Sequence, residues 1–407
     1  MRQSNQYQKV RLSTIYTRYF DAYLTDPKYP VSKEALKAVN QTIACRTSRI
    51  GVNVYECPEC KERKYVLRSC KNRFCPQCGY SDTKQWASRM LDKIADCGHH
   101  HIVFTLPASL RCLSKQNKDK VHSLLLKSSS ETVLDWFKAK YKLTPGIMNV
   151  LHTAGSDQKY HPHAHMLCSA GGLDDANQFN ELPVNWYLIN QKFLAKKFRW
   201  HFEKGLFSLY NKNELSCTYE NIIAFKQFIK QVNQQDWVVS IQPPLKKADD
   251  IVNYVGRYTK RACISEYNIL SADDGIITIR HKDYKHTDAS GKPSKTELAL
   301  GYRDFFGRLF EHVPSKGFRM VRYYGMYSNR IIGQQKQAKG HKTRQIEKTG
   351  WREYQIQKTG IDPLICPCCK REMRLIQEYY DRRTRWQRAQ RKDKIPDCWA
   401  VAVERGK

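Results

Sequence analysis

The chain has no apolar run approaching the roughly 18 residues that cross a bilayer. Its opening stretch, MRQSNQYQKVRLSTIYTRYF, scatters polar side chains where a secretory leader needs a continuous apolar core. Neither a membrane span nor export is expected, and the sequence reads as cytoplasmic. Acids are scarce as well: 39 Asp and Glu face 70 Lys and Arg, a formal charge of +31. That excess goes beyond what solubility requires and points to a polyanionic partner, with nucleic acid first and a membrane surface second. No carboxylate follows His165 until Asp174, which weighs against a zinc hydrolase built on His-x-His. What is present is ample: 407 residues with 41% apolar content allow two or more domains and a sizeable core.

Cysteine is the residue present in excess. Of 15, six lie between Cys45 and Cys78 and three between Cys366 and Cys369. Cys-x-x-Cys spacing in a reducing compartment argues for zinc rather than disulfides. Cys57-x-x-Cys60 and Cys75-x-x-Cys78 are separated by 14 residues that read as a short hairpin near 64–68, and together they can place four thiolates around one tetrahedral Zn²⁺. Four thiolates leave no open position for water, so such an ion is structural. Cys45 and Cys70 are left for a second metal, and Cys366 with Cys369 forms one more knuckle whose nearest further cysteine is Cys398. Arg68, Lys71 and Arg73 sit between the knuckles, either presented to phosphates by a rigid module or as a solvated basic loop.

The remaining pattern alternates helix and strand, an α+β chain. Helices are expected before residue 44, near 81–95, 121–141, 186–210, 219–232, 250–261 and 302–312, with strands near 102–107, 147–153, 160–169, 237–242 and 276–281. Four regions follow: a helical and zinc-binding part over 1–95, a mixed helix-and-strand domain over 96–265 that holds both motifs described next and that the resemblance given below implies to be the catalytic domain, an accessory β/α region over 266–332, and a basic linker with a Cys-x-x-Cys tail over 333–407. Three adjacent histidines, His99 to His101, open the strand near 102–107; neighbours on a strand point to opposite faces, so they cannot all ligate one ion.

Two motifs offer chemistry. On the strand near 160–169, His161, His163 and His165 project from one face, with His163 and His165 about 6 to 7 Å apart at Cα. Such a pair either grips one cation or simply faces solvent. On the helix near 250–261, Tyr254 and Tyr258 share a face beside Arg257, Lys260 and Arg261. A phenol with a pKa of about 10 is a poor nucleophile until cations and a metal assist it; otherwise both rings simply pack.

The ordered set of CRT, paired knuckles with SCKNRFCPQC, HIVFTLP, LHTAG, HPHAHMLCSAGG, YVGRYTKR and DPLICPCC resembles the rolling-circle transposases of insertion sequences, within the HUH (His-hydrophobic-His) endonuclease superfamily and closest to the IS91-like group with paired tyrosines. The resemblance covers most of the chain. It implies a central antiparallel sheet flanked by helices, with a zinc module before it and an accessory region after it. It further implies that His163 and His165 hold Mg²⁺ or Mn²⁺, with His152, His161 or Gln242 as third ligand. Tyr254 and Tyr258 would then cleave and rejoin single-stranded DNA at element termini and target through a 5′-phosphotyrosine. Phe74 departs from relatives, which often carry histidine there, and this puts a second metal at Cys45 and Cys70 in doubt. Two other readings share the basic charge: a non-catalytic, zinc-stabilised nucleic-acid-binding protein, and a plasmid replication initiator or relaxase of the same superfamily.

Overall fold

The computed structural model describes residues 10–79, 94–95, 97–182, 190–242, 245, 263–288, 291, 293–332 and 351–379. Tyr254, Arg257, Tyr258, Lys260 and Arg261 lie outside the described residues, as do Cys398 and the basic stretch over 333–350. The architecture is α+β with three antiparallel sheets.

The central sheet runs β11-β4-β5-β3-β7, with a short β6 (Phe179–Glu181) paired to β5. Its strands are β3 (His99–Thr105), β4 (Thr144–Ala154), β5 (Tyr160–Leu173), β7 (Val238–Ile241) and β11 (Val321–Gly325), every neighbouring pair antiparallel. Strand alternation sorts the side chains. Ile102, Phe104, Ala164, Met166 and Leu151 point to one face, where they join Phe198, Phe202 and Phe137 in the main core. That face is covered by α4 (Lys118–Tyr141) and α5 (Gln191–Asn211), with α6 (Ile222–Val232) beyond. Asn190 and Asn221 cap α5 and α6 by accepting hydrogen bonds from the first backbone N–H groups, which fixes where each helix starts. The short α3 (Arg111–Gln116) precedes α4. The opposite face of the sheet carries the histidines.

A second layer joins distant parts of the chain. The aromatic stripe of α1 (Leu12–Leu24), together with α2 (Lys33–Ile43), packs on the β10-β9-β8 sheet and on α7 (Tyr302–Glu311). Its strands are β8 (Ile269–Asp273), β9 (Ile276–Thr287) and β10 (Pro293–Gly301). Tyr16 and Phe20 meet Phe306 at ring distances of 5.4 and 6.0 Å, and the Leu12 N–H donates to Glu266 Oε1 at 3.1 Å. The N-terminal helices are therefore held by residues more than 250 positions away.

The third sheet, β12-β1-β2, corrects the expected hairpin. Its strands are β1 (Val52–Glu56), β2 (Arg63–Leu67) and β12 (Arg374–Tyr379), with α8 (Trp351–Thr359) preceding β12. The hairpin flanks the first knuckle instead of lying between the two: Glu56 pairs with Arg63, and Cys57 to Cys60 occupy the turn. The C-terminal strand then adds to the other side of β1. Among the described residues no helix is long and apolar enough to cross a membrane.

Candidate histidine centre and cysteine clusters

Three imidazoles from two paired strands converge. His152 lies directly opposite His163 in the β4–β5 register, and His165 follows on the same face of β5. The His152 Nδ1 and His163 Nε2 atoms are 3.1 Å apart, and one nitrogen from each of His152, His163 and His165 falls within 4.8 Å of the others. Two ligands at right angles on an ion 2.1 Å from each would sit about 3 Å apart, so the spacing fits a shared divalent ion. Three imidazoles also leave further positions open for water or phosphate oxygens.

Hydrogen bonds turn the rings toward this point. His163 donates from Nδ1 to the His161 carbonyl at 2.6 Å, which leaves Nε2 with its lone pair facing His152. His165 Nδ1 meets His101 Nε2 at 2.9 Å, with the two rings stacked at 5.1 Å. Burial, before any neighbouring charge, pushes His101 and His163 down to about 4 and His152 and His165 well below the usual imidazole range. All four are neutral at pH 7, the form that ligates a metal.

His161 does not join the cluster among these atoms. The Arg111 guanidinium donates to its Nδ1 at 2.6 Å, so the nitrogen that would have pointed a lone pair at a cation already accepts from one. Gln242 follows β7, with its side chain on Ser240 Oγ at 3.4 Å, and is exposed. Of the three residues offered as a third ligand, the register brings His152 together with His163 and His165. His101 was missed by motif reading, yet strand alternation carries the signal: Val103 is paired with His165, so His101 shares its face. His99 instead bonds Tyr327 Oη at 2.6 Å and the Cys97 carbonyl at 2.9 Å.

The cysteines form two four-sulfur sites, and their grouping differs from the expected one. Cys57 and Cys60 do not meet Cys75 and Cys78. Instead Cys45, Cys70, Cys75 and Cys78 gather in one cluster, and Cys57, Cys60, Cys366 and Cys369 in another. In the first, Cys45 and Cys70 each lie 3.5 Å from Cys78. Hydrogen bonds among the sulfurs lower Cys45 and Cys78 and raise Cys70 and Cys75, so the four side chains lie close enough to be strongly coupled. The doubt raised by Phe74 therefore does not hold: its backbone N–H bonds Asn72 Oδ1 at 2.8 Å, while Cys45 and Cys70 complete the set.

In the second cluster the two knuckles are copies. Both read Cys-Pro-x-Cys-Lys, and both close on a lysine in the left-handed region, Lys61 at φ 60° and Lys370 at φ 61°. Backbone N–H groups aim at the leading sulfur: that of Cys60 lowers Cys57, and that of Cys369 brings Cys366 down to about 6. Amides so placed stabilise thiolate, the form that binds zinc. The shared CPxCK string, against CPQCG at Cys75 to Cys78, is the sequence signal that pairs these knuckles across more than 300 residues. Both four-cysteine donor sets fit Zn²⁺.

The first cluster also approaches the histidines. Arg73, between two of its cysteines, has its pKa lowered by burial to about 10, and its charge adds to the burial that depresses His152. Lys71 is exposed at φ 50°, and Arg68 is 3.7 Å from Glu378.

Comparison with known proteins agrees with this geometry. A family model described as "Putative transposase" matches residues 146–335, and one described as "Transposase zinc-binding domain" matches residues 15–106. The chain is 28% identical over 386 residues to "Putative transposase y4qJ" of Sinorhizobium fredii, covering 91% of this chain and 95% of that protein. It is 29% identical over 306 residues to "Transposase for insertion sequence element IS801" of Pseudomonas savastanoi pv. phaseolicola, covering 74% of this chain and 72% of that one. No solved structure matches. Six of the eight clustered cysteines stand inside the matched zinc-binding segment, the three converging histidines fall within the matched transposase segment, and the chain is similar along most of its length to transposases of insertion sequences of the IS91-like group.

Proposed function

We propose that the chain cleaves and rejoins single-stranded DNA in rolling-circle-type transposition, through a covalent 5′-phosphotyrosine and with a divalent ion held by His152, His163 and His165. The observation that carries this reading is the convergence of three neutral imidazoles from paired strands, all within 4.8 Å. Mg²⁺ or Mn²⁺ bound there supplies Lewis acidity to a phosphodiester oxygen. The nucleophiles are Tyr254 and Tyr258, assigned from their spacing and from the family pattern. The phenol oxygen attacks phosphorus, a Tyr O–P bond forms, the P–O3′ bond breaks, and the proton passes to the departing 3′-oxygen. The phosphodiester bond energy is kept in the adduct, so a 3′-OH can reverse the step and rejoin DNA without another energy source. Two tyrosines allow one to hold the first end while the other acts on a second.

Around this centre, Arg111 holds His161 away from the ion and His101 orients His165. Arg68, Lys71, Arg73, Arg257, Lys260 and Arg261 supply positive charge for the DNA backbone. A non-catalytic zinc-stabilised binder shares that charge but gives no reason to gather neutral imidazoles on one sheet face.

The test is an end-labelled single-stranded oligonucleotide carrying the element terminus, incubated with the zinc-loaded chain and Mn²⁺. The expected result is a denaturant-resistant protein–DNA adduct that disappears in the Tyr254→Phe, Tyr258→Phe double variant. Adduct formation by that variant would remove the tyrosines from the mechanism.

A further inference from the structure

A groove of about 770 Å³ wraps the end strand β11 and the loop before it, away from both cysteine clusters and not part of the histidine centre. Three cations line it, Lys316, Arg319 and Arg322, against a single acid, Asp119. None of the three has a carboxylate within ion-pair distance among the described residues. Some cations elsewhere are paired, as Lys115 with Glu311 and Arg303 with Asp26. Lys316 and Arg319 are exposed. Arg322 is fixed: it donates to Ser123 Oγ at 2.7 Å, and its guanidinium lies 5.4 Å from the centre of the Phe318 ring. A held guanidinium layered on an aromatic ring presents a flat, cationic stacking surface, and Tyr323 lines the same groove.

Position ties the groove to the histidines. β11 pairs with β4, Val321 opposite Val150, and the Leu151 N–H donates to the Met320 carbonyl at 2.8 Å. Val150 and His152 share a sheet face, so Val321 and Tyr323 share it too, while Arg322 looks to the other side. Residues 316–323 thus run from beside the histidine face around the end of the sheet.

We propose that this groove seats the single-stranded DNA flanking the scissile phosphate, with phosphates on Lys316, Arg319 and Arg322 and bases against Phe318 and Tyr323. Unpaired cations alone would take any polyanion. Cations interleaved with aromatic rings favour a strand whose bases are free to stack, which a duplex does not offer. This inference rests on the reading of the chain as a single-strand transferase, and its test is separate from cleavage.

The test is fluorescence anisotropy with the zinc-loaded full chain, no added divalent ion, and a fluorescein-labelled mixed-sequence oligonucleotide of about 20 nucleotides, single-stranded or annealed. In Lys316→Ala, Arg319→Ala, single-strand affinity falls about tenfold near physiological salt, and the salt slope shrinks by about 1.4, at about 0.7 per lost phosphate contact. Duplex affinity changes less. The charge-matched control Lys196→Ala, Lys226→Ala removes two exposed lysines on α5 and α6 and changes single-strand affinity less than about threefold. Unchanged single-strand binding in the groove variant, an equal loss for duplex, or an equal loss in the control would each overturn the proposal. Loss of binding in the groove variant together with no adduct from the unaltered chain would instead remove the transferase reading and leave the groove standing.

Discussion

At the scale of single residues, the question is why three histidines in alternation on β5 do not all converge on one point. Alternation puts His161, His163 and His165 on one face, but the cross-strand neighbour decides the set: His152 stands opposite His163 and offers Nδ1 at 3.1 Å, while Arg111 occupies His161. His152→Ala is therefore expected to lower Mn²⁺-dependent adduct formation by more than about 100-fold, and His161→Ala by less than about tenfold, as first-ligand loss exceeds loss of a neighbour. Equal losses in the adduct assay would place His161 in the ligand set. His101 makes a separate prediction. It orients His165 through a 2.9 Å hydrogen bond without being one of the three converging ligands, so His101→Ala is expected to weaken Mn²⁺ binding by about 10- to 100-fold. Electron paramagnetic resonance titration of Mn²⁺ on the zinc-loaded chain measures this directly, and unaltered affinity would reduce His101 to a packing residue.

At the scale of elements, the cysteine clusters link the two ends of the chain. Cys57 and Cys60 sit in the turn between β1 and β2, and Cys366 and Cys369 sit just before β12, which pairs with β1. Metal analysis of the full chain is expected to give two zinc ions, one per four-cysteine cluster, and the Cys366→Ser, Cys369→Ser variant to give one. Two ions in that variant would mean that the clusters are not independent sites. The same elements show what sequence reading reaches. The strand bearing HPHAH, the helices over α4 and α5, and the knuckles as knuckles all follow from local periodicity and spacing. The partner of each knuckle does not, because proximity in sequence favours Cys75 with Cys57, whereas the chain closes Cys57 on Cys369 at 3.3 Å. Likewise the stripe of α1 announces that it is buried but not that Phe306 buries it. Local patterns specify faces, and only long-range pairing specifies what covers them.

At the scale of the whole molecule, the buried histidines couple the fold to pH. Beside the converging set, His122 and His312 are buried on either side of Tyr160, at the start of β5: His122 Nε2 bonds Tyr160 Oη at 2.7 Å, and the His312 ring stacks on Tyr160 at 6.5 Å. His312 donates from Nε2 to the Gln158 carbonyl at 3.0 Å, which leaves Nδ1 to accept from Thr153 Oγ1 at 3.1 Å, a pattern made by the neutral ring. Burial foremost, with Lys118 nearby, brings His122 down to about 3, and burial brings His312 down to about 4. In the unfolded chain each titrates near 6.5. A folded pKa below the unfolded one means that the unfolded state takes up the proton first. The stabilisation from keeping these rings neutral is therefore complete above about pH 6.5 and is lost as the pH falls toward 4, by up to about 1.4 kcal/mol per pH unit for each ring. Thermal melting of the zinc-loaded chain should accordingly be flat between pH 8 and 7 and drop steeply below 6. In His122→Gln, which can still bond Tyr160, melting starts lower at pH 7.5 but falls less between pH 6.5 and 4.5, because one proton-uptake site of the unfolded chain is gone. Zinc loss in acid affects both proteins alike, so the difference between the two curves isolates the histidine; parallel curves would show that His122 does not carry the acid sensitivity.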